Sequence, residues 1–323
     1  MILGVDIGGT SSRALLADLD GTRLGTGRTG GGNPNSHAPA QAAAEVAGAL
    51  KAALDGRDPA GVAAAVVGMA GASKMSDPEI VALFTEMWHG VGLRCPLRVV
   101  TDCEVGFAAG TPKPNGAALV AGTGSVAMRI VDHRMAAIFG GNGWLLGDEG
   151  SGYWVGREAV RATLKAIEGR APLTALSRAV LTEVGGTDSA DRRRLVITRC
   201  NADEPVRLAR FAPLVSTAAA EGDEIAQDIV RRGVLHLVDI TFAAAPAADG
   251  SPVVLIGSLT EAGNPFGDAL RVGLSANGFH DISEATDGAA GAAWLAATEL
   301  LPDEAQRRAL HSALLAHPPI VFS

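Results

Sequence analysis

The chain opens with short apolar runs separated by glycine-rich turns, a pattern typical of β-strands joined by tight connections. An apolar run at residues 2–5 leads into Asp6-Ile7-Gly8-Gly9-Thr10, and a second run returns at residues 14–17. Asp20-Gly21 separates that run from residues 22–27, and this pair predicts a two-residue hairpin turn. Three antiparallel strands are therefore predicted at the start of the chain.

Helical and strand patterns then alternate. Apolar spacing predicts helices over residues 39–54 and 78–88, and buried strands over residues 62–69 and 97–101. Each strand ends in small or polar residues, among them Asp102. Strands separated by helices are typical of an α/β domain, whose chemistry lies at the strand ends.

The opening pattern recurs after residues 111–115, where two prolines in three residues predict a domain boundary. A strand, a glycine turn and a returning strand follow over residues 117–131. In both copies ten residues separate a turn glycine from an aspartate, Gly8 from Asp18 and Gly122 from Asp132. This repetition indicates an internal duplication.

The second half is predicted to be mostly helical. Apolar residues at helical spacing predict helices over residues 153–169, 173–184, 223–248 and 303–317. A short buried strand at residues 253–256 ends in Gly257-Ser258, and a helix rich in Ala and Gly follows Asp287. We expect one domain over residues 1–112 and a larger one over residues 113–299, with the helix in residues 300–323 belonging to either.

Composition narrows the function classes. A chain of 323 residues exceeds one usual hydrophobic core, which supports two domains. The 27 basic and 35 acidic residues give a net charge of −8, which argues against a nucleic-acid or anionic-membrane partner. No apolar run is long enough to span a bilayer, so we expect a soluble protein. Cys95, Cys103 and Cys200 have neither disulfide nor zinc spacing, which favours a reducing, cytoplasmic setting.

Two glycine patterns match a dinucleotide-binding fingerprint only superficially. Residues 25–30 satisfy G-x-G-x-x-G, and residues 122–127 satisfy its alanine variant. Neither opens a helix, since the first runs into more glycine and the second into a β-branched strand. The sequence also contains no G-x-x-x-x-G-K-[ST], which removes the P-loop.

The two glycine turns are candidate phosphate sites. A turn with few Cβ atoms exposes backbone N–H groups and hydroxyls to an anion. Asp6, at the mouth of the first turn, suits a magnesium ligand. If the two domains face each other, the turns could hold one nucleotide from opposite sides. An ordinary β-turn is the alternative interpretation of the first turn.

Asp102 and the loop over residues 140–152 carry the other candidate chemistry. Asp102 is a candidate general base, and its alternative role is the N-cap of the helix that follows. The loop places Trp144, Asp148 and Glu149 among six glycines, which suits a sugar, because carboxylates accept hydrogen bonds from hydroxyls and an aromatic face covers a pyranose. Capping the helix from residue 153 is the alternative for Asp148 and Glu149.

Taken in order, these motifs resemble the phosphate, connecting and adenosine motifs of the actin-like ATPase and sugar kinase superfamily. They comprise Asp6-Ile7-Gly8-Gly9-Thr10, Asp102, Gly122-Thr123-Gly124-Ser125, residues 147–152, Gly257-Ser258 and residues 287–292. The second turn and residues 147–152 resemble more narrowly the N-acetylglucosamine kinases grouped with the BadF/BcrA-type ATPases. The alanine- and glycine-rich chain is similar to an actinobacterial glucosamine kinase.

The resemblance implies an α/β fold of two duplicated ribonuclease-H-like domains, which closes over ATP and a sugar in an interdomain active-site cleft. By position, Asp102 resembles the catalytic base, and Asp6 and Asp102 the magnesium site. Nucleotide contacts are expected from Gly8, Gly9, Thr10, Ser11, Gly122, Thr123, Gly124, Ser125, Gly257 and Ser258. Sugar contacts are expected from Asn33 or Asn35, Ser73, Asp102, Thr123, Trp144, Asp148 and Glu149.

The resulting hypothesis is an ATP- and Mg²⁺-dependent kinase of the 6-hydroxyl of an amino sugar, glucosamine first and N-acetylglucosamine second. A sugar- or nucleotide-binding regulator without turnover is the alternative from another class. The cysteines lack the spacing of the iron–sulfur activators with this fold, and the cysteine-rich zinc motif of ROK kinases is missing. The oligomeric state stays open, with a homodimer among the options.

Overall fold

The computed structural model describes residues 1–186, 191–245 and 250–316. Its strands are β1 Ile2–Ile7, β2 Ser12–Ala17, β3 Arg23–Thr29, β4 Ala64–Met69, β5 Arg98–Thr101, β6 Gly116–Ala121, β7 Ser125–Val131, β8 Arg134–Gly140, β9 Val253–Ile256 and β10 Ile282–Glu284. Its helices are α1 Pro39–Ala53, α2 Pro78–Gly90, α3 Asp102–Gly110, α4 Gly143–Leu146, α5 Gly152–Ile167, α6 Ala175–Glu183, α7 Arg192–Asn201, α8 Ala212–Ala220, α9 Glu224–Ala244, α10 Pro265–Ala276, α11 Gly288–Ala297 and α12 Glu304–Leu315.

The chain forms two compact units. Unit 1 comprises Met1–Asn115, Ile130–Met135 and Ser283–Ser323. Unit 2 comprises Gly116–Arg129 and Ala136–Ile282. Each unit is built on a five-stranded sheet.

The sheet of unit 1 has the strand order β3-β2-β1-β4-β5. The first three strands are antiparallel neighbours, as predicted, and β4 and β5 join β1 in parallel. Ile7 pairs with Met69, and Met69 pairs with Thr101. The residues that follow these three strands therefore emerge at one edge of the sheet, where the ends of parallel strands carry functional groups.

Helices cover both faces of this sheet. Buried side chains of β1 such as Leu3 and Val5 pack with those of α1 and α2, while α3 and α11 pack on the other face. A Cβ on Gly4 would overlap the backbone of Ala289 and Ala293 in α11. The small residues of α11 thus allow its backbone to lie directly on β1.

The sheet of unit 2 has the order β10-β9-β6-β7-β8. When this sheet is read from β8 to β10 and its strands are counted along the chain, their order is third, second, first, fourth and fifth. The strands of the unit 1 sheet have the same order from β3 to β5. This identity of strand order agrees with the predicted duplication. Helices α5, α6, α8, α9 and α10 supply most of the core against β6 and β9.

Several local predictions needed correction. Asp18 N–H donates to Thr22 O, so the turn between β2 and β3 contains residues 19–21 rather than two residues. Residues 143–146 form a short helix inside the predicted glycine loop. Strand β8 and helices α7 and α8 carry weak or mixed polarity patterns and were not predicted. The arginines at residues 192–194 are exposed on α7, as expected of a solvated helix face.

The compact units also differ from the predicted domain limits. Residues 283–299, expected in the second domain, lie in unit 1, and α12 lies there as well. The close approach of α11 to Gly4 of β1 holds α11 in unit 1. Trp294 Nε1 of α11 donates to Arg307 O of α12 at 2.8 Å, and this hydrogen bond joins α12 to the same unit. The predicted ends of two helices, at residues 246–248 and 317, and the rest of the tail lie outside the described residues.

Within the described ranges, no helix combines the length and the apolar character needed to cross a membrane.

Candidate active site

Asp102 is the first residue of α3 and stands immediately after β5 with an exposed side chain. Thr101 is the N-cap of this helix: its hydroxyl accepts from Glu104 N at 3.2 Å, and Glu104 Oε2 accepts from Thr101 N at 2.7 Å. This capping box satisfies the helix end without Asp102. The alternative role of Asp102 as an N-cap is therefore wrong.

Glu104 is a buried neighbour of Asp102 with a structural role. Besides the bonds to Thr101, its Oε1 accepts from Met135 N at 3.1 Å. A buried carboxylate with partners for both oxygens is held in place. Asp102 is thus the carboxylate of this strand end that is available to a ligand, and its Oδ1 accepts from the N–H and the thiol of the adjacent Cys103.

Asp6 lies on the same side of unit 1 as Asp102 and has a perturbed titration. Burial is the largest cause that raises the pKa of the Asp6 carboxyl to about 6. The Arg13 guanidinium opposes this rise, and the charges of Asp102 and Asp287 add to it. Carboxylates gathered in this way disfavour their own ionisation and favour a cation between them.

This arrangement fits a magnesium ion that is held partly by its nucleotide. Across the described parts of the chain, no cluster of three or more His, Cys, Asp or Glu side chains could enclose a metal by itself. Mg²⁺ usually keeps several waters and binds one or two carboxylates together with substrate phosphates. Asp6 and Asp102, expected to be its ligands, are near enough to influence each other electrostatically.

The first glycine turn connects β1 and β2 beside Asp6. Gly8 N–H donates to Ser11 O at 2.9 Å, which closes a four-residue turn with Gly9 and Thr10 exposed at its tip. His37 Nε2 lies 2.8 Å from Gly9 O and ties the turn to the loop over residues 30–37. The predicted phosphate residues of unit 1 therefore lie together on one short turn.

The candidate sugar residues of unit 1 come from two neighbouring loops. Asn33 is nearly buried, and its Oδ1 accepts from Asn35 N at 2.8 Å. Both amides lie against Gly71, which has φ +77° and leaves no room for a Cβ. Ser73 follows, exposed, in the 3₁₀ helix Ala72–Ser76. The structure therefore brings Asn33, Asn35 and the Gly71 turn together.

In unit 2, the second glycine turn is held by its neighbours. Gly122 N–H donates to Gly124 O at 3.0 Å, and Gly152 N–H donates to Gly122 O at 2.7 Å. Ser125 is buried; its N–H donates to Asp148 Oδ1 at 3.3 Å and its hydroxyl to Glu149 O at 2.9 Å. The donors of Ser125 are thus engaged by the loop that follows β8.

The predicted sugar loop of unit 2 surrounds helix α4. Trp144 is 39% exposed, and its ring meets Tyr153 edge-on with the centroids 6.2 Å apart. Asp148 adopts φ +59°, a conformation that Asp tolerates better than most residues. Ser151, whose hydroxyl accepts from Trp154 N, caps α5. The alternative role of Asp148 and Glu149 as the cap of α5 is therefore wrong.

A cavity of about 630 Å³ opens beside the second turn, entirely within unit 2. Its size lies in the range of cofactor sites. Three of the predicted nucleotide residues line it, namely Gly122, Thr123 and Ser258. Gly257, at φ +106°, would place a Cβ 2.6 Å from Ala121 O, so only glycine lets this turn lie against β6. Trp144, Asp148 and Glu149 do not line this cavity.

Most of the cavity wall was not predicted. It comes from the end of the 3₁₀ helix Pro205–Phe211, the start of α8 and the loop before α10, and its polar side chains are Ser216, Thr217, Glu261 and Asn264. Ser216 Oγ donates to Asn264 Oδ1 at 3.0 Å, which joins α8 to that loop. These residues lack a short motif, so only their tertiary proximity identifies them.

Unit 1 also contains functional candidates outside the predicted set. Asp287 Oδ1 accepts from Ala290 N and caps α11, while its Oδ2 accepts from Arg23 at 2.9 Å. A Cβ on Gly288 would lie 2.7 Å from Asp6 Oδ2. The glycine-rich start of α11 is the sequence signal that could have pointed to this contact.

The fold and these strand-end groups define a class: an α/β protein of two ribonuclease-H-like domains, as in actin-like ATPases and sugar kinases. The sequence pattern of the BadF/BadG/BcrA/BcrD ATPase family matches residues 3–296, and the chain belongs to this family.

Individual relatives agree with the family. An N-acetylmuramic acid/N-acetylglucosamine kinase from Clostridium acetobutylicum is 26% identical over 238 residues, which cover 73% of this chain and 76% of that protein. The crystal structure of a candidate N-acetylglucosamine kinase from Chromobacterium violaceum is 28% identical, covers 91% of this chain and 97% of its own, and superposes with a TM-score of 0.70. A ROK family glucokinase from Streptomyces griseus shares the fold, with a TM-score of 0.54, 20% identity and coverage of 91% and 98%.

Proposed function

We propose that the protein is an ATP-dependent kinase that transfers the γ-phosphoryl group to the 6-hydroxyl of an amino sugar. The observation that carries this proposal is Asp102, an exposed carboxylate at a strand end whose helix is capped by other residues. A carboxylate in that position is free to accept the proton of an attacking hydroxyl. The relatives that are sugar kinases support the same reaction class.

Unit 1 supplies the acid–base and charge-neutralising groups. Asp102 accepts the hydroxyl proton as the new bond to phosphorus forms. Asp6, with Asp102, would hold Mg²⁺, which neutralises charge on the phosphates when it is bound. The turn over residues 8–11 offers backbone N–H groups to a phosphate. Phosphoryl transfer depends mainly on such positioning and charge stabilisation.

Unit 2 supplies the nucleotide site. The cavity of about 630 Å³ would take the nucleoside, with Ser216, Thr217, Glu261 and Asn264 as its polar contacts. Gly122, Thr123, Gly124 and Gly257-Ser258 would then lie along the phosphates. Ser125 supports this turn from behind, since both of its donors are bonded to residues 148–149.

The sugar is proposed to be N-acetylglucosamine or glucosamine. The sequence favoured glucosamine, whereas the Clostridium acetobutylicum relative is an N-acetylmuramic acid/N-acetylglucosamine kinase, so the acetylated sugar is now the first substrate to test. Its contacts are proposed to be Asn33, Ser73, Asp102, Thr123, Trp144, Asp148 and Glu149. ATP is a cytoplasmic substrate, which fits the location expected from the cysteines.

The proposal is tested by ADP release in the presence of ATP, Mg²⁺ and a panel of sugars. The panel contains N-acetylglucosamine, glucosamine, glucose and 6-deoxyglucosamine. We expect stimulation by one or both amino sugars and none by the 6-deoxy compound, which lacks the acceptor hydroxyl. Sugar binding without any stimulated ADP release would instead support a non-catalytic binding protein.

A further inference from the structure

Three charged residues form a row across the first strands of unit 1. Asp6 on β1 pairs with Arg13 on β2, and Arg13 pairs with Arg28 on β3. Residues paired directly across antiparallel strands project from the same face of the sheet. Since neighbouring strands lie about 4.8 Å apart, the row extends over about 10 Å, with Arg28 on the edge strand.

Both guanidinium groups of this row are exposed. Among residues 1–186, 191–245 and 250–316, the structure gives neither Arg13 nor Arg28 a side-chain hydrogen bond or an ion pair. Arg23, on β3 of the same sheet, is by contrast paired with Asp287. Like charges placed directly opposite each other on neighbouring strands destabilise a sheet. The pair therefore has a cost to folding that a bound anion would relieve.

The row lies next to the first glycine turn. Ile7 pairs with Ser12 one position beyond Asp6 and Arg13, and the turn over residues 8–11 follows at once. The turn presents backbone N–H groups, which favour an anion. The planar guanidinium group is suited to bidentate contact with phosphate oxygens. Two kinds of anion-binding group thus adjoin each other in unit 1.

The corresponding turn of unit 2 carries no such charges. Two residues before Gly122 stands Val120, and five residues after it stands Ala127, which is fully buried. At the same spacing from Gly8, unit 1 has Asp6 and Arg13. The strand–turn–strand fold therefore does not require an acid and a base here, and their presence in unit 1 calls for another explanation.

We propose that Arg13 and Arg28 form a phosphoryl-binding site on unit 1, in which Arg13 contacts the phosphoryl group that is transferred and Arg28 strengthens the field from the next strand. This proposal rests on the proposed kinase function. The sugar oxygen forms a bond to the γ-phosphorus, the bond from that phosphorus to the bridging oxygen breaks with its electron pair left on ADP, and Asp102 takes the hydroxyl proton. Arg13 neutralises charge on the phosphoryl oxygens throughout.

The first test does not depend on activity. Thermal unfolding is measured in sodium phosphate and in sodium chloride of equal ionic strength for the wild type, Arg13→Gln, Arg28→Gln and Arg57→Gln. Arg57 is an exposed arginine of unit 1 outside the row and serves as the matched control. We expect phosphate to raise the Tm of the wild type and of the control by about 2–4 °C, and of the two row variants by less than half of that. An equal rise in all four proteins would overturn the site.

The second test measures steady-state kinetics with an uncharged amino sugar. We expect Arg13→Gln to lower kcat on the order of a hundredfold with little change in the sugar KM, because a group that stabilises developing charge acts in the transition state. Arg13→Lys should recover part of this loss, Arg28→Gln should lose less, and Arg57→Gln should match the wild type. Wild-type kcat in Arg13→Gln would overturn the assignment.

Two further outcomes show which anion the row binds and whether the kinase function or the anion site is wrong. If the variants lose turnover only with an amino sugar that carries a carboxylate, the row binds the sugar and the assignment to the transferred phosphoryl group is wrong. If the wild type itself shows no sugar-stimulated ADP release, the kinase function fails. The phosphate-dependent Tm of the same variants then still decides whether the row binds an anion.

Discussion

The two glycine turns share their backbone plan and differ in what surrounds them. Each connects an apolar strand to the next strand of its sheet, β1 to β2 and β6 to β7. In unit 1 the turn adjoins Asp6, Arg13 and Asp102. In unit 2 it adjoins the loop at Asp148 and a cavity whose lining includes one charged residue, Glu261.

The turn therefore provides a scaffold, and the residues around it decide the chemistry. A duplicated strand–turn–strand exposes backbone N–H groups in both units. In the proposed function, charged side chains then equip unit 1 for proton transfer and metal binding, and open space equips unit 2 for a nucleoside.

The largest effect is expected when Asp102, the proposed base in unit 1, is replaced. Asp102→Asn keeps the shape of the side chain and removes its basicity, so kcat should fall by about 10²–10⁴ while the KM for ATP stays within about twofold. The coupled ADP assay measures both constants. Asp55→Asn, which alters an exposed carboxylate elsewhere in unit 1, is the control and should remain fully active. Retention of most activity by Asp102→Asn would show that another group accepts the proton.

The packing of α11 on β1 should be the next most sensitive feature. Gly4→Ala introduces a Cβ that overlaps the backbone of Ala289 and Ala293, and backbone cannot move as a flexible side chain does. We expect the free energy of unfolding to fall by about 1–3 kcal/mol, measured by urea denaturation. Gly90→Ala, where a Cβ meets open space, should change it by less than about 0.5 kcal/mol. Equal effects of the two substitutions would contradict the close approach of α11.

The cavity of unit 2 can be narrowed without a clash with the protein. A Cβ on Gly122 has no heavy atom within 4 Å and Gly122 lines the cavity, so Gly122→Val should occupy nucleotide space. We expect the KM for ATP to rise about tenfold, equivalent to about 1.4 kcal/mol, with an unchanged KM for the sugar. Gly90→Val in unit 1 is the matched control and should leave both constants unchanged. An effect of Gly122→Val on the sugar KM alone would place the sugar, not the nucleotide, at this turn.

The smallest expected effect is on the pH dependence of the free energy of unfolding of unit 1. Burial lowers the pKa of His133 to about 4, helped by Arg307, and its ring meets Trp294 edge-on at 5.0 Å. As the pH falls, His133 is protonated near pH 6.5 in the unfolded chain but only near pH 4 in the folded chain. The folded state therefore loses stability as the pH falls from 6.5 towards 4.

His133→Gln removes that contribution. The destabilisation it causes should therefore be smaller at about pH 5 than at about pH 7.5, by about 1 kcal/mol after allowance for solvent screening. Urea denaturation of both proteins at each pH measures this difference. Comparing variant with wild type is necessary because Asp6, whose pKa is raised by burial, stabilises unit 1 on acidification. A difference that does not change with pH would show that His133 does not titrate on unfolding.

Local features with strong periodicity or distinctive turns could be predicted from the sequence alone. The opening three strands, β9, α1 and the strand-end position of Asp102 follow from apolar spacing and from breaks at Gly, Pro and Asp. The duplication was also visible as repeated spacing around Gly8 and Gly122. These features depend on neighbours in the chain, which a sequence displays directly.

Features that depend on residues distant in the chain could not be predicted before the fold was known. The membership of α11 and α12 in unit 1 follows from backbone contact at Gly4, and the cavity wall at Ser216 and Asn264 joins segments that are 48 residues apart. The same holds for the row of Asp6, Arg13 and Arg28, because strand register aligns residues whose spacing in the chain shows no motif. Packing and register are set by the whole fold, so a local pattern does not contain them.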